Sequence, residues 1–270
     1  MLKKRLITAL WGIPLVVAAV WFDTPVYWFT VLAAIAGLLA AMEFYRLSGV
    51  SKISPLYVGG LLFTIIFIVS PHVNCNLNVP LLSLLLAAAV VLPLILLVFL
   101  PRKEGLFNYW AWTLGGIFYL GWLLSFLVGL RLDAGRDWLF LALFATFGSD
   151  TAAYFIGKAI GKHKMAPGIS PGKTWEGAAA GLFGAVIVSL LFTLNTPLQL
   201  ALSWWQAVIL GLLISAFGQL GDLVESLLKR NFGVKDSGNL MPGHGGLLDR
   251  LDSVLFAGVV VYLWYFLVVV

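Results

Sequence analysis

Long apolar runs, separated by short polar segments, divide the chain into nine stretches. Most are about as long as the 20 or so apolar residues that a helix needs to cross a bilayer. They cover residues 6–22, 26–45, 56–70, 80–100, 108–130, 138–157, 175–195, 204–228 and 248–270. The pattern therefore predicts an all-α polytopic integral membrane protein with about nine transmembrane helices.

The composition agrees with a membrane protein. Hydrophobic residues make up 61% of the chain and charged residues only 11%, too few for the surface of a soluble domain of this length. A basic N-terminus followed by an apolar run resembles a signal peptide, but no small-residue cleavage site follows it, so we interpret this run as a retained first helix. Cys75 is the single cysteine, which excludes an intramolecular disulfide.

The positions of the basic residues predict the topology. If the N-terminus is cytoplasmic, fifteen of the seventeen Lys and Arg residues fall on the cytoplasmic side. Arg131 and Arg136 fall on the other side, where Asp133 and Asp137 balance them. The positive-inside rule thus predicts a cytoplasmic N-terminus and a C-terminus outside.

The net charge of +5 is also typical of a membrane protein, because the basic residues on the cytoplasmic side attract anionic lipid headgroups. The chain shows no basic groove interleaved with aromatic residues, so we expect membrane lipids as partners and no nucleic acid.

Two parts of the chain differ in their ionisable residues. Residues 1–137 hold few of them inside the predicted helices and are expected to form a scaffold, with a possible role in lipid access. Glu43, with Arg46 three residues later, is interpreted as half of a salt bridge at a helix end. Residues 138–270 hold the candidate chemistry and are predicted to carry the catalytic site.

The stretch 222–252 has the most unusual composition. It holds five of the twelve acids and four of the seventeen bases, between two apolar helices. Asp222 and Glu225 share one helix face, and Asp249 and Asp252 lie in the first turn of the next helix. Two such pairs joined by a glycine-rich loop can converge on a hard cation such as Mg2+, as one or two ions. Capping and helix-dipole roles would explain Asp249 and Asp252 but not the other pair.

Bases near these acids suit a substrate rich in phosphate. Within the stretch they are Lys229, Arg230, Lys235 and Arg250. Upstream, the loop 161–177 contains Lys173 and exposed backbone amides that suit phosphate, although the positive-inside rule alone explains many such loops. It is not a nucleotide P-loop, because Pro167 stands where the first glycine is required.

Asp150 lies well inside an apolar helix, where a lone carboxylate is costly unless it is paired or ligating. A structural pairing with Lys158 or Lys173 and a direct role in the site are equally good interpretations.

The residues from 226 to 252, S-L-L-K-R-x4-K-D-x-G-x3-P-G-H-G-G-x2-D-R-x-D, resemble the signature of the phosphatidate cytidylyltransferases, also called CDP-diacylglycerol synthases. The upstream D-x2-A-Y-x2-G and I-S-P-G-K-T-W-E-G segments are similar to that family too, and the nine-helix layout fits the whole chain. Met241 is a conservative departure. The resemblance implies an integral membrane enzyme that joins CTP to phosphatidic acid, with Mg2+, to give CDP-diacylglycerol and pyrophosphate.

The resemblance also implies roles for individual residues. Asp222 and Asp249 are expected to hold the metal, with Glu225 and Asp252 close by. Together with Asp222 and Asp249, the expected catalytic residues are Lys229, Arg250 and His244. The expected substrate-binding residues are Lys173, Ser170, Arg230, Lys235, Asp150, Ser226, Gly245 and Gly246. His244 is expected to position a phosphate rather than to act as a base, because a phosphate monoester with a second pKa of about 6 is already largely a dianion.

The expected location is the bacterial inner membrane, with the active site facing the cytoplasm. The competing hypothesis is a cation-coupled transporter whose buried acids bind the transported ion, but its repeat symmetry is not visible in the sequence. The sequence leaves a homodimer open.

Overall fold

The computed structural model describes residues 2–22, 27–73, 80–101, 104–238 and 245–270, and for residues 2–10 only the backbone. Each of the nine predicted stretches coincides with a helix or with a continuous group of helices, which confirms the helical class. The α-helices are α1 Leu2–Trp21, α2 Trp28–Leu47, α3 Ser54–Val69, α4 Leu81–Phe99, α5 Leu106–Gly116, α6 Leu123–Gly129, α7 Arg136–Ile160, α8 Trp175–Leu191, α9 Trp204–Asn231 and α10 Leu248–Trp264.

Shorter elements join or extend these helices. Two 3-10 turns precede and follow α3, at Val50–Lys52 and Ser70–His72. Turns of π-helix follow α5, α6 and α10, at Ile117–Trp122, Leu130–Ala134 and Tyr265–Val269. The apolar-run pattern did not predict a small antiparallel hairpin between α7 and α8, formed by β1 Lys164–Ala166 and β2 Ser170–Thr174. Lys164 pairs with Thr174, and Ala166 with Ser170.

Among the described residues, seven helical segments are long and apolar enough to cross a membrane. They are Trp28–Leu47, Ser54–His72, Leu81–Phe99, Leu106–Ala134, Arg136–Ile160, Trp204–Asn231 and Leu248–Val269. The apolar helices Trp11–Trp21 and Trp175–Leu191 are shorter. The protein is thus an integral membrane protein by length and composition of its helices, while the number of nine spans and the orientation stay predictions.

The chain forms two compact units. The first comprises Met1–Gly129 and Asp236–Leu248, and the second Leu130–Lys235 and Asp249–Val270. The sequence pattern divided the chain once, after residue 137. It did not predict that the segment 236–248 would belong to the first unit while the residues before and after it belong to the second. The roles predicted for residues 1–137 and 138–270 stay predictions.

The core of the first unit surrounds two adjacent aromatic residues of α2. Phe44 and Tyr45 are almost completely buried, and their rings meet edge to face with centroids 5.7 Å apart. The Tyr45 hydroxyl donates a hydrogen bond to the backbone oxygen of Thr113 on α5 (3.1 Å). A buried phenol needs such a partner, so this bond fixes α2 against α5.

A line of polar side chains joins α7, α8 and α9 in the second unit. The hydroxyls of Ser149 on α7 and Ser215 on α9 share a hydrogen bond of 2.7 Å. The Gln219 side chain donates to the Ser215 hydroxyl (2.9 Å) and to the backbone oxygen of Ala178 on α8 (3.1 Å). Inside a bilayer such groups must find partners in neighbouring helices, so this network sets the register of the three helices.

Candidate active site

Three carboxylates converge where α9 and α10 meet. One oxygen each from Asp222, Glu225 and Asp252 lies within 4.8 Å of the other two. Asp222 and Glu225 share a face of α9 because they are three residues apart. Gly221 allows α10 to approach, since a Cβ atom there would lie 2.5 Å from the backbone oxygen of Asp252. The absence of a side chain at this one position therefore brings the acids of the two helices together.

Glu225 is the most deeply placed of the three, with none of its surface exposed. Its Oε2 atom forms an ion pair with Lys229 Nζ at 2.5 Å. Among the described residues, however, neither carboxylate oxygen accepts a hydrogen bond of regular geometry. Burying a carboxylate is costly, and a bound cation would add to the compensation that Lys229 supplies.

Lys229 also holds the fourth predicted metal ligand. Its ammonium group donates to Asp249 Oδ1 at 2.6 Å while it pairs with Glu225. The structure thus places Asp249 next to the three-carboxylate group, bound to Lys229, and it places Asp252 inside that group. The predicted four acids do come together, but two of them share a lysine.

On the other side of the group, Lys173 reaches Asp222. The distance from Lys173 Nζ to Asp222 Oδ2 is 2.8 Å, and Lys173 also donates to the backbone oxygen of Gln219 (3.1 Å). Ser226, one turn further along α9, donates to Asp222 Oδ1 (3.4 Å). Asp222 therefore lies between a base and a hydroxyl, both of which the sequence predicted to bind substrate.

The β-hairpin positions Lys173. Thr174, the next residue, caps α8 by accepting a hydrogen bond from the Gly177 amide (3.2 Å). At the start of the hairpin, His163 Nδ1 lies 2.7 Å from Glu176 Oε1, in the first turn of α8. The hairpin is thereby fastened to α8 at both ends, which directs Lys173 towards α9.

Asp150 on α7 belongs to the same site. Its carboxylate lies near the Ser253 side chain and close enough to Asp222, Lys173 and Arg250 for their charges to act on it. The charges of Asp222 and Asp150 also act on Asp252. Of the two interpretations of Asp150 left open by the sequence, this position favours a role in the site.

The formal charges of this cluster do not balance. Within the described residues it contains five acids and three bases, an excess of two negative charges. The acids are Asp150, Asp222, Glu225, Asp249 and Asp252, and the bases are Lys173, Lys229 and Arg250. One divalent cation would neutralise this excess, and carboxylate oxygens are the ligands that Mg2+ prefers. The donor set therefore fits the expected metal.

The other predicted residues of this unit form no ion pair or hydrogen bond with the carboxylates among the described residues. Arg230 donates from Nε to the backbone oxygen of Ile169 in the hairpin (3.2 Å) and from Nη1 to that of Val234 (3.0 Å). Lys235 is exposed, and Ser170 is half-buried at the start of β2. Arg230 thus connects the end of α9 to the hairpin through backbone contacts.

The glycines of the signature belong to the first unit. Gly245 has a φ of 81°, in the left-handed region that favours glycine, and Gly246 is buried. His244, predicted to position a phosphate, and Met241 lie outside the described residues.

Sequence reasoning missed three residues with polar contacts here or in the adjoining signature. Ser253 lies near Asp150, the backbone of Gln219 supplies the oxygen that Lys173 binds, and Glu43 contacts both described ends of the segment 237–248. Among these, Glu43 had a usable signal, because an acid inside an apolar helix is a functional hypothesis in its own right. The predicted ion pair between Glu43 and Arg46 is not among those that the described residues form.

Comparison with known proteins agrees with this geometry. A sequence profile of the cytidylyltransferase family matches residues 3–268. A phosphatidate cytidylyltransferase of Bacillus subtilis is 36% identical over 84% of this chain and 85% of its own length. One from Staphylococcus saprophyticus is 41% identical over 64% of this chain and 66% of its own. One from Staphylococcus aureus is 37% identical over 84% of this chain and 86% of its own length. The resemblance seen in the signature is thus confirmed, and the chain belongs to the cytidylyltransferase family, together with these phosphatidate cytidylyltransferases.

Proposed function

We propose that this enzyme transfers CMP from CTP to phosphatidic acid and releases pyrophosphate, so that the lipid product is CDP-diacylglycerol. The observation that carries the proposal is the cluster of five carboxylates and three bases between α7, β2, α9 and α10. The named activity of its relatives supplies the two substrates. Family membership favours this enzyme over the transporter that buried acids alone would allow.

The transfer needs positioning and charge neutralisation rather than a base. An oxygen of the phosphatidate headgroup bonds to the α-phosphorus of CTP, and the bond from that phosphorus to the bridging oxygen breaks. Pyrophosphate leaves with the electron pair. Because a phosphate monoester has a second pKa of about 6, the attacking oxygen is already largely deprotonated at neutral pH. Lys173, Lys229 and Arg250 offset the charge of the phosphates.

Asp222, Glu225 and Asp252 would hold the divalent cation, with Asp249 adjacent through Lys229. When bound, Mg2+ supplies a positive charge that neutralises the triphosphate and its leaving group. The chain's own bases then bind and orient the two phosphate-bearing substrates. Ser226 donates to Asp222, whose carboxylate is already paired with Lys173 and is therefore a weak base, so Ser226 is assigned to hydrogen bonding rather than to nucleophilic attack.

The cytoplasmic side of the membrane is the proposed place of reaction. CTP is a soluble nucleotide, and the predicted topology puts the loops that carry Lys173 and Arg230 on that side. The relatives named above are bacterial, which agrees with a location in the bacterial inner membrane.

The direct test uses purified protein in detergent with phosphatidic acid, Mg2+ and CTP labelled at its α-phosphate. We expect label in the lipid fraction and one pyrophosphate released per labelled lipid. Omission of phosphatidic acid, or removal of the metal with EDTA, should abolish the product. The proposal is wrong if no labelled lipid forms under complete conditions with monodisperse protein.

The same assay tests direct transfer. When CTP is supplied without lipid, no label should become covalently attached to the protein, because no residue acts as an intermediate acceptor. Label trapped on the chain, or ping-pong kinetics, would replace direct transfer by a two-step mechanism.

A further inference from the structure

Glu43 of α2 is a buried acid that the proposed chemistry leaves unused. Only 2% of the residue is exposed. Its Oε2 atom accepts a hydrogen bond from the Ser237 hydroxyl at 3.1 Å and another from the backbone amide of Leu248 at 3.0 Å. These partners lie 194 and 205 residues away in the sequence. One carboxylate thus fastens both described ends of the segment 237–248 to α2.

The bond to Leu248 is a helix cap supplied from another helix. Leu248 is the first residue of α10, and the first amides of a helix have no partner within it. A carboxylate at this position satisfies one amide and is also favoured by the positive end of the helix dipole. Glu43 therefore contributes to the point at which α10 begins.

The starting point of α10 matters because its acids follow at once. Asp249 is its second residue and Asp252 its fifth. Without this cap the first turn of α10 would be free to unwind, because its amide would lose its partner. Unwinding would take Asp249 away from Lys229 and loosen the backbone that carries Asp252. A formed first turn of α10 is thus a condition for the cluster.

The surroundings of Glu43 are shaped to its side chain. Gly238 and Gly246 lie against the carboxylate so closely that a Cβ atom at either would collide with it. The second oxygen, Oε1, is buried without a hydrogen-bond partner among the described residues. Burying a carboxylate is costly, and the bonds from Ser237 and Leu248 are its compensation in the part of the chain described.

We propose that Glu43 is a positioning residue for cytidylyl transfer, which caps α10 and binds Ser237 so that Asp249 and Asp252 take their places in the site. The inference rests on the proposed function, because it assigns those acids a role in catalysis. Glu43 itself touches neither substrate nor metal in this scheme.

The test compares Glu43→Leu with Glu43→Gln in the purified enzyme. Leucine keeps the volume but accepts no hydrogen bond, so we expect kcat per folded enzyme to fall about 10- to 100-fold, the usual cost of losing an orienting contact. The Mg2+ concentration for half-maximal rate should rise, whereas the KM for CTP should change by less than about threefold. Glutamine keeps one acceptor oxygen and should restore most of the rate.

Two further variants complete the design. Ser237→Ala removes one donor, and its effect on kcat should disappear in the Glu43→Leu background, because the two residues act through one contact. Thr64→Val is the control, since Thr64 is buried in the same unit and its hydroxyl donates to the backbone oxygen of Gly60 within α3, with no bond to Glu43 or to the segment 237–248 among the described residues. That variant should keep the wild-type kcat and Mg2+ requirement.

The outcomes separate the two proposals. If the wild type makes no CDP-diacylglycerol, the proposed function fails. If the wild type is active and Glu43→Leu keeps its kcat per folded enzyme and its Mg2+ requirement, the positioning role is wrong. If Glu43→Leu does not fold, Ser237→Ala and Glu43→Gln decide: an unchanged kcat and Mg2+ requirement in Ser237→Ala would overturn the inference.

Discussion

The four predicted metal ligands differ in whether they pair with Lys229. Its ammonium group lies 2.5 Å from Glu225 and 2.6 Å from Asp249, so it occupies one side of the carboxylate cluster. Asp222 pairs instead with Lys173 at 2.8 Å, and Asp252 lies close enough to Asp222, Asp150 and Lys229 for their charges to act on it. At the residue scale the acids therefore divide into Glu225 and Asp249, which pair with Lys229, and Asp222 and Asp252, which form no ion pair with it among the described residues.

This inequality predicts different effects for the acids. Asp222→Asn and Asp252→Asn should raise the Mg2+ concentration for half-maximal rate at least about tenfold and lower kcat, because each removes a charged ligand. Asp249→Asn should lower kcat with a smaller change in Mg2+ requirement, since its partner is Lys229. Mg2+ titrations of the purified variants would measure both quantities.

Asp137→Asn is the matched control, because Asp137 pairs with Arg136 at 3.1 Å in the same unit and has no part in the cluster. It should behave as the wild type. Equal Mg2+ requirements in all four proteins would show that these acids do not bind the metal.

At the scale of whole elements, the long helices were predictable and the short elements were not. Apolar runs of span length specify a helix wherever they occur, because backbone groups in a bilayer must bond within their own segment. The hairpin was missed because strands of three and five residues carry too little periodicity to be recognised. The hairpin matters for the site, because it positions Lys173 beside Asp222.

The role of Glu43 was missed for a different reason. A local rule for residues three apart favoured Arg46 as its partner. The true partners lie about 200 residues away, and no pattern in the neighbourhood of Glu43 points to them. By contrast, the acids of α9 and α10 were predictable, because charge concentrated between apolar helices is costly enough to imply a function.

The contact between α9 and α10 provides a prediction at this scale. Gly221→Ala would place a Cβ atom 2.5 Å from the backbone oxygen of Asp252 and 2.8 Å from the Phe256 ring. The helices must move apart, which we expect to lower stability by about 1–3 kcal/mol and to separate Asp222 from Asp252. Thermal unfolding in detergent and a Mg2+ titration of activity would measure the two effects.

Gly59→Ala serves as the comparison, because a Cβ atom at Gly59 of α3 meets no other atom within 4 Å. It should leave both stability and activity close to those of the wild type. An active, fully stable Gly221→Ala enzyme would show that the close approach of the helices is not needed for the site.

At the scale of the whole molecule, the cluster and the topology impose a common requirement. The carboxylates and bases of α7, β2, α9 and α10 can serve CTP only if their loops face the cytoplasm. The orientation is predicted from the distribution of charge. Fifteen of seventeen basic residues share the predicted cytoplasmic side, a strong bias for a polytopic protein.

Orientation can be tested with the single native cysteine. Cys75 lies outside the described residues, and the predicted topology puts it on the outer face, whereas Lys235 is predicted to be cytoplasmic. A membrane-impermeant maleimide should therefore label the wild type in spheroplasts. The double variant Cys75→Ala, Lys235→Cys should be labelled only in inverted vesicles, and Cys75→Ala alone should stay unlabelled in both. Labelling of position 235 from outside would reverse the orientation, and it would put the proposed site on the face that CTP does not reach.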